Sequence, residues 1–148
     1  MAEECKPSVL RVTIPSCLEW LGIIDKVCEE IALQLGLTEA DANALAISVV
    51  EAGTNAIQHG HRLEKAQPVD FRFELTEERI EVEVRDRGPG FDVQKVLSWD
   101  PTSPEALLAP RGRGIFIMKN LMDEVSFRIV EGEGCWVNLT KQYVPTPS

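Results

Sequence analysis

The sequence predicts an α+β fold, a two-layer α/β sandwich with a mainly antiparallel sheet and its helices on one face. Three observations predict it. Apolar residues alternate with polar ones in two adjacent segments, Val69–Leu75 and Ile80–Val84, and again in Val125–Ile129 and Cys135–Leu139. Long stretches of helical period precede each of these pairs. Strands grouped as antiparallel pairs, with helices between the pairs, favour a two-layer sandwich over a doubly wound parallel sheet. With 148 residues, 44% of them hydrophobic, the chain suits one domain over 1–148, with a core at about 8–142 and short disordered tails.

Taken in order, Leu10, Val12 and Ile14 alternate with Arg11 and Thr13 as a short strand. Ser16-Cys-Leu-Glu19 then has the form of a capping box, in which hydroxyl and carboxylate satisfy the first free amides of a helix. Leu18, Leu21, Cys28, Ile31 and Leu35 follow at helical spacing, and Gly36 ends the helix. Thr38-Glu-Ala-Asp41 opens a second helix running to about Gly60, with Leu45, Val49 and Ala56 on its buried stripe. The first hairpin comes next, with one wet face. Residues 92–113, with Pro101, Pro104 and Pro110, suggest a helical piece followed by a mobile loop. Ile115 to Met122 form an apolar helix, and the second hairpin turns at Glu-Gly-Glu-Gly.

Bulk properties exclude several classes. A net charge of −9 disfavours nucleic acid, which needs clustered positive charge. No apolar run approaches the roughly 20 residues that span a bilayer, and Met1-Ala-Glu-Glu-Cys-Lys lacks a signal-peptide core. Cys5, Cys17, Cys28 and Cys135 show no CxxC spacing, and His59 and His61 are the only histidines. A zinc site or a disulfide framework is therefore disfavoured, and a cytoplasmic protein is expected.

Three elements carry chemistry. Asp86 shares a strand face with Ile80, Val82 and Val84, so its carboxylate falls on the core face, where it needs hydrogen bonds. Gly88 and Gly90 follow at once, where backbone can approach a ligand closely. The plain reading is a turn that begins at Asp86; the two glycines shift the balance toward a carboxylate that reads the amino group of adenine. Upstream, Glu51, Asn55 and His59 recur at i, i+4 and i+8 on one helical face. The small residues Ala52, Gly53 and Ala56 around Asn55 leave space for a ligand. A carboxamide oxygen suits Mg²⁺ already held by phosphates, and Glu51 is placed as a general base. The third element is Arg111-Gly112-Arg113-Gly114, just before the helix at Ile115, where free amides and the helix dipole favour phosphate. The two arginines are either phosphate contacts or solvated loop residues.

In this order the elements resemble the GHKL (Bergerat-fold) ATPase superfamily, which includes gyrase, Hsp90, MutL and histidine-kinase ATP domains. The resemblance covers residues 8–142. The small size and the string Gly-Ile-Phe-Ile-Met-Lys-Asn-Leu121-Met122-Asp123 look like the anti-sigma-factor serine kinases of bacterial stress and sporulation switches. The resemblance implies ATP and Mg²⁺ as ligands, with Asn55 on the metal, Asp86 on adenine, and Gly88, Gly90, Gly112 and Gly114 shaping pocket and lid. It also implies that Glu51 assists phosphoryl transfer to a serine on a STAS-domain anti-anti-sigma protein, with a sigma factor as second partner. A PP2C-type phosphatase in the same pathway and a homodimer, with Trp136 as one exposed contact, complete the expectation. The alternative is a regulatory module that uses ATP as a conformational ligand without kinase activity. Two features depart from the family: Cys135-Trp136 follows Gly134 where Gly-Thr-Thr is common, and Arg113 separates the lid glycines.

Overall fold

The structure, a computed structural model, describes residues 8–61, 64, 66–90 and 110–146. Strand β1 (Ser8–Pro15) leads through a 3-10 turn (Leu18–Trp20) into α1 (Leu21–Leu35) and α2 (Glu39–Asn55), which closes in a π-turn (Ala56–Gly60). Strands β2 (Pro68–Leu75) and β3 (Arg79–Asp86) form the first hairpin; α3 (Pro110–Leu121) precedes the second, β4 (Glu124–Val130) and β5 (Gly134–Gln142). The five strands make one sheet in the order β1-β2-β3-β5-β4, every pair antiparallel. This is the two-layer α/β sandwich expected. None of the described helices is long and apolar enough to cross a membrane.

The core lies between the sheet and the helices, as period-two and period-3.6 patterning require. Phe71, Phe73, Ile80, Val82, Val84 and Leu139 rise from the sheet against Ile24, Leu45, Val49 and Met118 from α1, α2 and α3. Gly36 ends α1 in the left-handed conformation at φ 70°, and the Asp41 amide donates to Thr38 Oγ1 at 3.1 Å as the cap of α2. The C-terminal stretch is held as far as Thr146, whose amide and hydroxyl both donate to Gly36 O, at 2.8 and 2.9 Å.

Five expectations are corrected. The capping box at Ser16 does not form: Cys17 is the N-cap, its thiol donates to Glu19 Oε1 at 2.9 Å rather than capping an amide, and Ser16 is committed elsewhere in the interior. Leu18 does not join the buried stripe but is 40% exposed. Gly53 faces away from any ligand space: a Cβ there would come 2.7 Å from Leu21 Cδ2 and 3.0 Å from the Phe71 ring. The last helix begins at Pro110 rather than Ile115, so Arg111-Gly-Arg-Gly114 lies in its opening turns. Proline suits a first helical turn, since its missing N–H has no partner there in any case. Trp136 is buried, because the Arg85 and Arg128 guanidiniums lie over its ring at 4.5 and 4.3 Å from the centroid. The helical piece and loop expected within 92–109 lie outside the described residues.

At the β4–β5 turn, Gly134 (φ 129°) sits so close to β3 that a Cβ would stand 2.0 Å from Asp86 O, whereas Gly132 (φ 79°) has nothing within 4 Å. Gly134→Ala is therefore expected to lower stability by roughly 2–4 kcal/mol. Gly132→Ala should cost only about 1–2 kcal/mol of left-handed strain. Urea midpoints of the two variants compared with wild type check the difference; equal losses would contradict the close approach at Gly134.

Candidate functional site

Four parts of the chain meet at one end of the sheet: the end of α2 with its π-turn, the end of β3, the opening turns of α3 and the start of β5. Asp86 is the last residue of β3, on the same face as Ile80, Val82 and Val84, and is 4% exposed. Its carboxylate accepts from the Gly88 amide at 2.8 Å. The π-turn closes directly on it. A Cβ on Gly60 would lie 2.6 Å from Asp86 Cγ and 2.8 Å from both carboxylate oxygens, and one on Gly88 would lie 2.3 Å from Gly60 O. Glycine at both positions is what lets the two turns touch.

In front of Asp86 lies a narrow cleft. Ala52 and Asn55 line it from α2, Ala56 from the π-turn, Val84 from β3, Ile115 from α3, Phe127 from β4, and Cys135 and Val137 from β5. Its volume is about 10 Å³, room for one water. Apolar walls with a few convergent polar groups are the usual make-up of a small-molecule site. Asn55 is 8% exposed, and Glu51 is half-buried one turn before it. Gly114 of α3 rests on this pair: its Cβ would stand 3.0 Å from both Asn55 Nδ2 and Glu51 Oε2.

The structure thus brings Glu51, Asn55, Asp86, Gly88 and Gly114 together. Gly90, at φ 79°, packs instead against the Ile129 side chain, and Arg113 is exposed. The side chains of Arg111 and Gly112 lie outside the described residues. Cys135 pairs with Asp86 in the β3–β5 register, so the position where the family often has a hydroxyl does line the cleft. A larger cavity, about 920 Å³, lies at the other end of the sheet. Asp41, Glu77, Glu78 and Asp123 line it with Arg79, a net negative charge that repels phosphates.

Sequence reasoning missed a buried support behind Asp86. His61 Nδ1 and Ser16 Oγ are 2.5 Å apart, Ser16 Oγ donates to Gln67 O at 2.7 Å, and the Arg87 amide donates to His61 Nε2 at 2.6 Å. The Arg87 guanidinium donates to Pro68 O at 2.7 Å and Asp70 Oδ2 at 2.6 Å. Burial holds the His61 imidazole below its ordinary value, with Asp86 and Glu64 opposing and Arg87 assisting. Burial works against ionisation of Asp70, but hydrogen bonds from Thr13 and Arg87, with the Arg87 and Arg85 charges, keep its carboxyl below the usual range. No local pattern announces these contacts, which span up to 51 residues of sequence.

Residues 14–141 match the family described as the Histidine kinase-like ATPase domain. The chain is 38% identical over 136 residues to the serine-protein kinase RsbW of Bacillus licheniformis, covering 89% of this chain and 84% of that protein. It is 36% identical to the RsbW of Bacillus subtilis strain 168 with the same coverage, and 30% identical over 140 residues to that of Halalkalibacterium halodurans. A crystal structure of the RsbU and RsbW domains of a Mycobacterium tuberculosis protein has the same fold, with a TM-score of 0.65 at 16% identity. The match covers 95% of this chain and 35% of that one. The chain belongs to the serine-protein kinase RsbW family within the histidine kinase-like ATPase domains, and is an ATP-using protein serine kinase.

Gly60→Ala is expected to push the Asp86 carboxylate from its seat, lowering stability by about 1–3 kcal/mol and weakening ATP binding with it. Urea unfolding run beside an ATP titration checks both. A variant with wild-type stability and affinity would refute the contact.

Proposed function

We propose that this kinase binds ATP in the cleft in front of Asp86 and passes the γ-phosphoryl group to a serine of a STAS-domain anti-anti-sigma protein, and that it also sequesters a sigma factor. The observation that carries the reading is that Asp86 and Asn55 line one apolar cleft while Gly114 rests on Asn55 and on Glu51, one turn before it. The buried Asp86 carboxylate accepts a hydrogen bond from the adenine amino group, while Val84, Ile115, Phe127 and Val137 offer flat apolar contact to the ring. Bound MgATP supplies the phosphoryl group, with its charge partly neutralised by the metal. Among the described residues no three His, Cys, Asp or Glu side chains cluster as a metal cage. The Asn55 carboxamide oxygen would hold Mg²⁺ brought by the phosphates, and the metal would supply charge neutralisation there. Glu51 accepts the proton of the acceptor serine as its oxygen bonds to phosphorus and the bond to ADP breaks.

A second copy of the chain, expected from the family resemblance, would find in β1 a strand edge that no described residue pairs, with Val9 and Leu10 exposed on it.

Asp86→Asn is expected to weaken ATP binding by roughly 1.5–3 kcal/mol, about 10- to 100-fold in Kd. Calorimetry on the folded variant checks this, and an unchanged Kd would remove Asp86 from adenine recognition. Glu51→Gln should hold ATP affinity within about threefold yet cut phosphate transfer by about 100-fold or more, the scale of general-base catalysis. The readout is labelled phosphate on the partner's serine. Transfer at the wild-type rate would show that Glu51 is not the base.

A further inference from the structure

The hydrogen bonds behind the site fix where every proton lies. Ser16 Oγ has one proton and donates it to Gln67 O at 2.7 Å, so in its 2.5 Å contact with His61 the oxygen accepts and Nδ1 carries hydrogen. The Arg87 amide can only donate, so Nε2, 2.6 Å away, must present its lone pair. Only the neutral Nδ1–H imidazole satisfies both neighbours. The ring has little freedom to choose otherwise: His61 is 6% exposed and Ser16 is fully buried. The Ser16 amide also donates to Gln67 O, at 3.1 Å, which anchors the relay to the backbone joining β1 to α1.

Arg87 stands between Asp86 and Gly88, so what holds its backbone also aims the carboxylate. The turn is gripped on one side by Gly88 N donating to Asp86, on another by the Arg87 guanidinium on Pro68 and Asp70, and from behind by His61. We propose that His61 is a positioning residue for nucleotide binding: as a neutral imidazole it fixes the Arg87 backbone and so holds Asp86 in line with the cleft. The proposal rests on the assignment of adenine recognition to Asp86.

A second proton on His61 would point Nε2–H at the Arg87 N–H, donor against donor, and release the turn. The charged groups facing the ring are Asp86, Arg87 and Glu64; burial outweighs the two carboxylates and keeps the ring neutral below its ordinary pKa. The sign follows. The unfolded chain takes up this proton first, near pH 6.5, so the relay's contribution is complete above about pH 6.5. It declines as pH falls below that value and is gone once the folded protein is protonated. Nucleotide affinity carried by the relay follows the titration of the folded protein alone, so it declines only as pH falls through the lowered folded-state pKa of His61, below 6.5.

The test uses the full chain, MgATP titrations from about pH 8 down to the most acidic pH at which the protein stays folded, and circular dichroism to fix the folded fraction at each pH. His61→Gln keeps an acceptor for the Arg87 amide near the place of Nε2 but does not titrate. It is expected to bind within about threefold of wild type at the higher pH and to gain on wild type as pH falls through the folded protein's His61 titration. His61→Phe removes both polar atoms and should bind about tenfold more weakly than wild type at the higher pH. Protonation of ATP and of carboxylates is common to all variants, so the ratio of wild type to His61→Gln isolates the imidazole. A ratio that does not change with pH, or a folded His61→Phe with wild-type affinity, overturns the proposal. Should His61→Phe not fold, the pH dependence of the His61→Gln ratio decides alone. Asp86→Asn, titrated alongside, separates the two claims. If it binds as wild type, the adenine assignment and the proposal built on it both fall. If it binds weakly while the His61 variants behave as wild type, only the positioning role falls.

Discussion

A carboxylate on the core face of a strand is costly unless its oxygens find donors, and Asp86 is such a group, 4% exposed at the end of β3. Much of the local architecture follows from housing it. Gly88 turns its amide back to one oxygen; Gly60 brings the π-turn against the same carboxylate without a side chain; Gly134 lets β5 start within contact of the Asp86 backbone. Arg87 and His61 then fix the turn from outside the cleft. Close backbone approach at three glycines is a packing demand that would serve no purpose around an ordinary surface turn. It makes sense where a buried charged acceptor must be both tolerated and aimed.

The cleft in front of Asp86 holds about one water, far less than a nucleotide. Gly114 rests on Glu51 and Asn55, so in the proposed binding mode the phosphates need the opening turns of α3 to draw back from α2. Part of the binding energy is then spent on separating packed walls, and measured affinity is lower than the contacts alone would give.

How much of this was legible depends on whether the signal was local. Asp86 was found because strands have period two and an apolar face makes a carboxylate conspicuous; Glu51 and Asn55 were found because residues four apart share a helix face. Both hairpins and the order of elements followed from the same periodicities. The misses share one cause. Ser16 has the spacing of a capping box, yet its hydroxyl is taken by Gln67 and His61, partners no window could contain. Gly53 looks like part of a small-residue ligand wall, and only the packing of Leu21 and Phe71 shows that it serves the core. Trp136 alternates onto the outer face as expected, but the arginines that cover it come from neighbouring strands, Arg85 and Arg128 being its register partners on β3 and β4. The start of α3 was placed late because two glycines lower helix propensity, and packing on α2 overrides that weak local preference.

Cys135 bears on how heavily recognition leans on Asp86. It pairs with Asp86 across the strands and lines the cleft where relatives of this fold often present a hydroxyl. A thiol donates and accepts more weakly than a hydroxyl, so less of the orientation of a bound base can come from this wall. With Asn55 assigned to the metal in the proposed binding mode, the Asp86 carboxylate is left to read the base, and the strength of its hydrogen bond depends steeply on angle. A site with one good reader has more to lose from a misdirected carboxylate than a site with two. The several constraints on the Asp86–Gly88 turn, including a buried histidine whose tautomer is fixed from both sides, are consistent with that dependence.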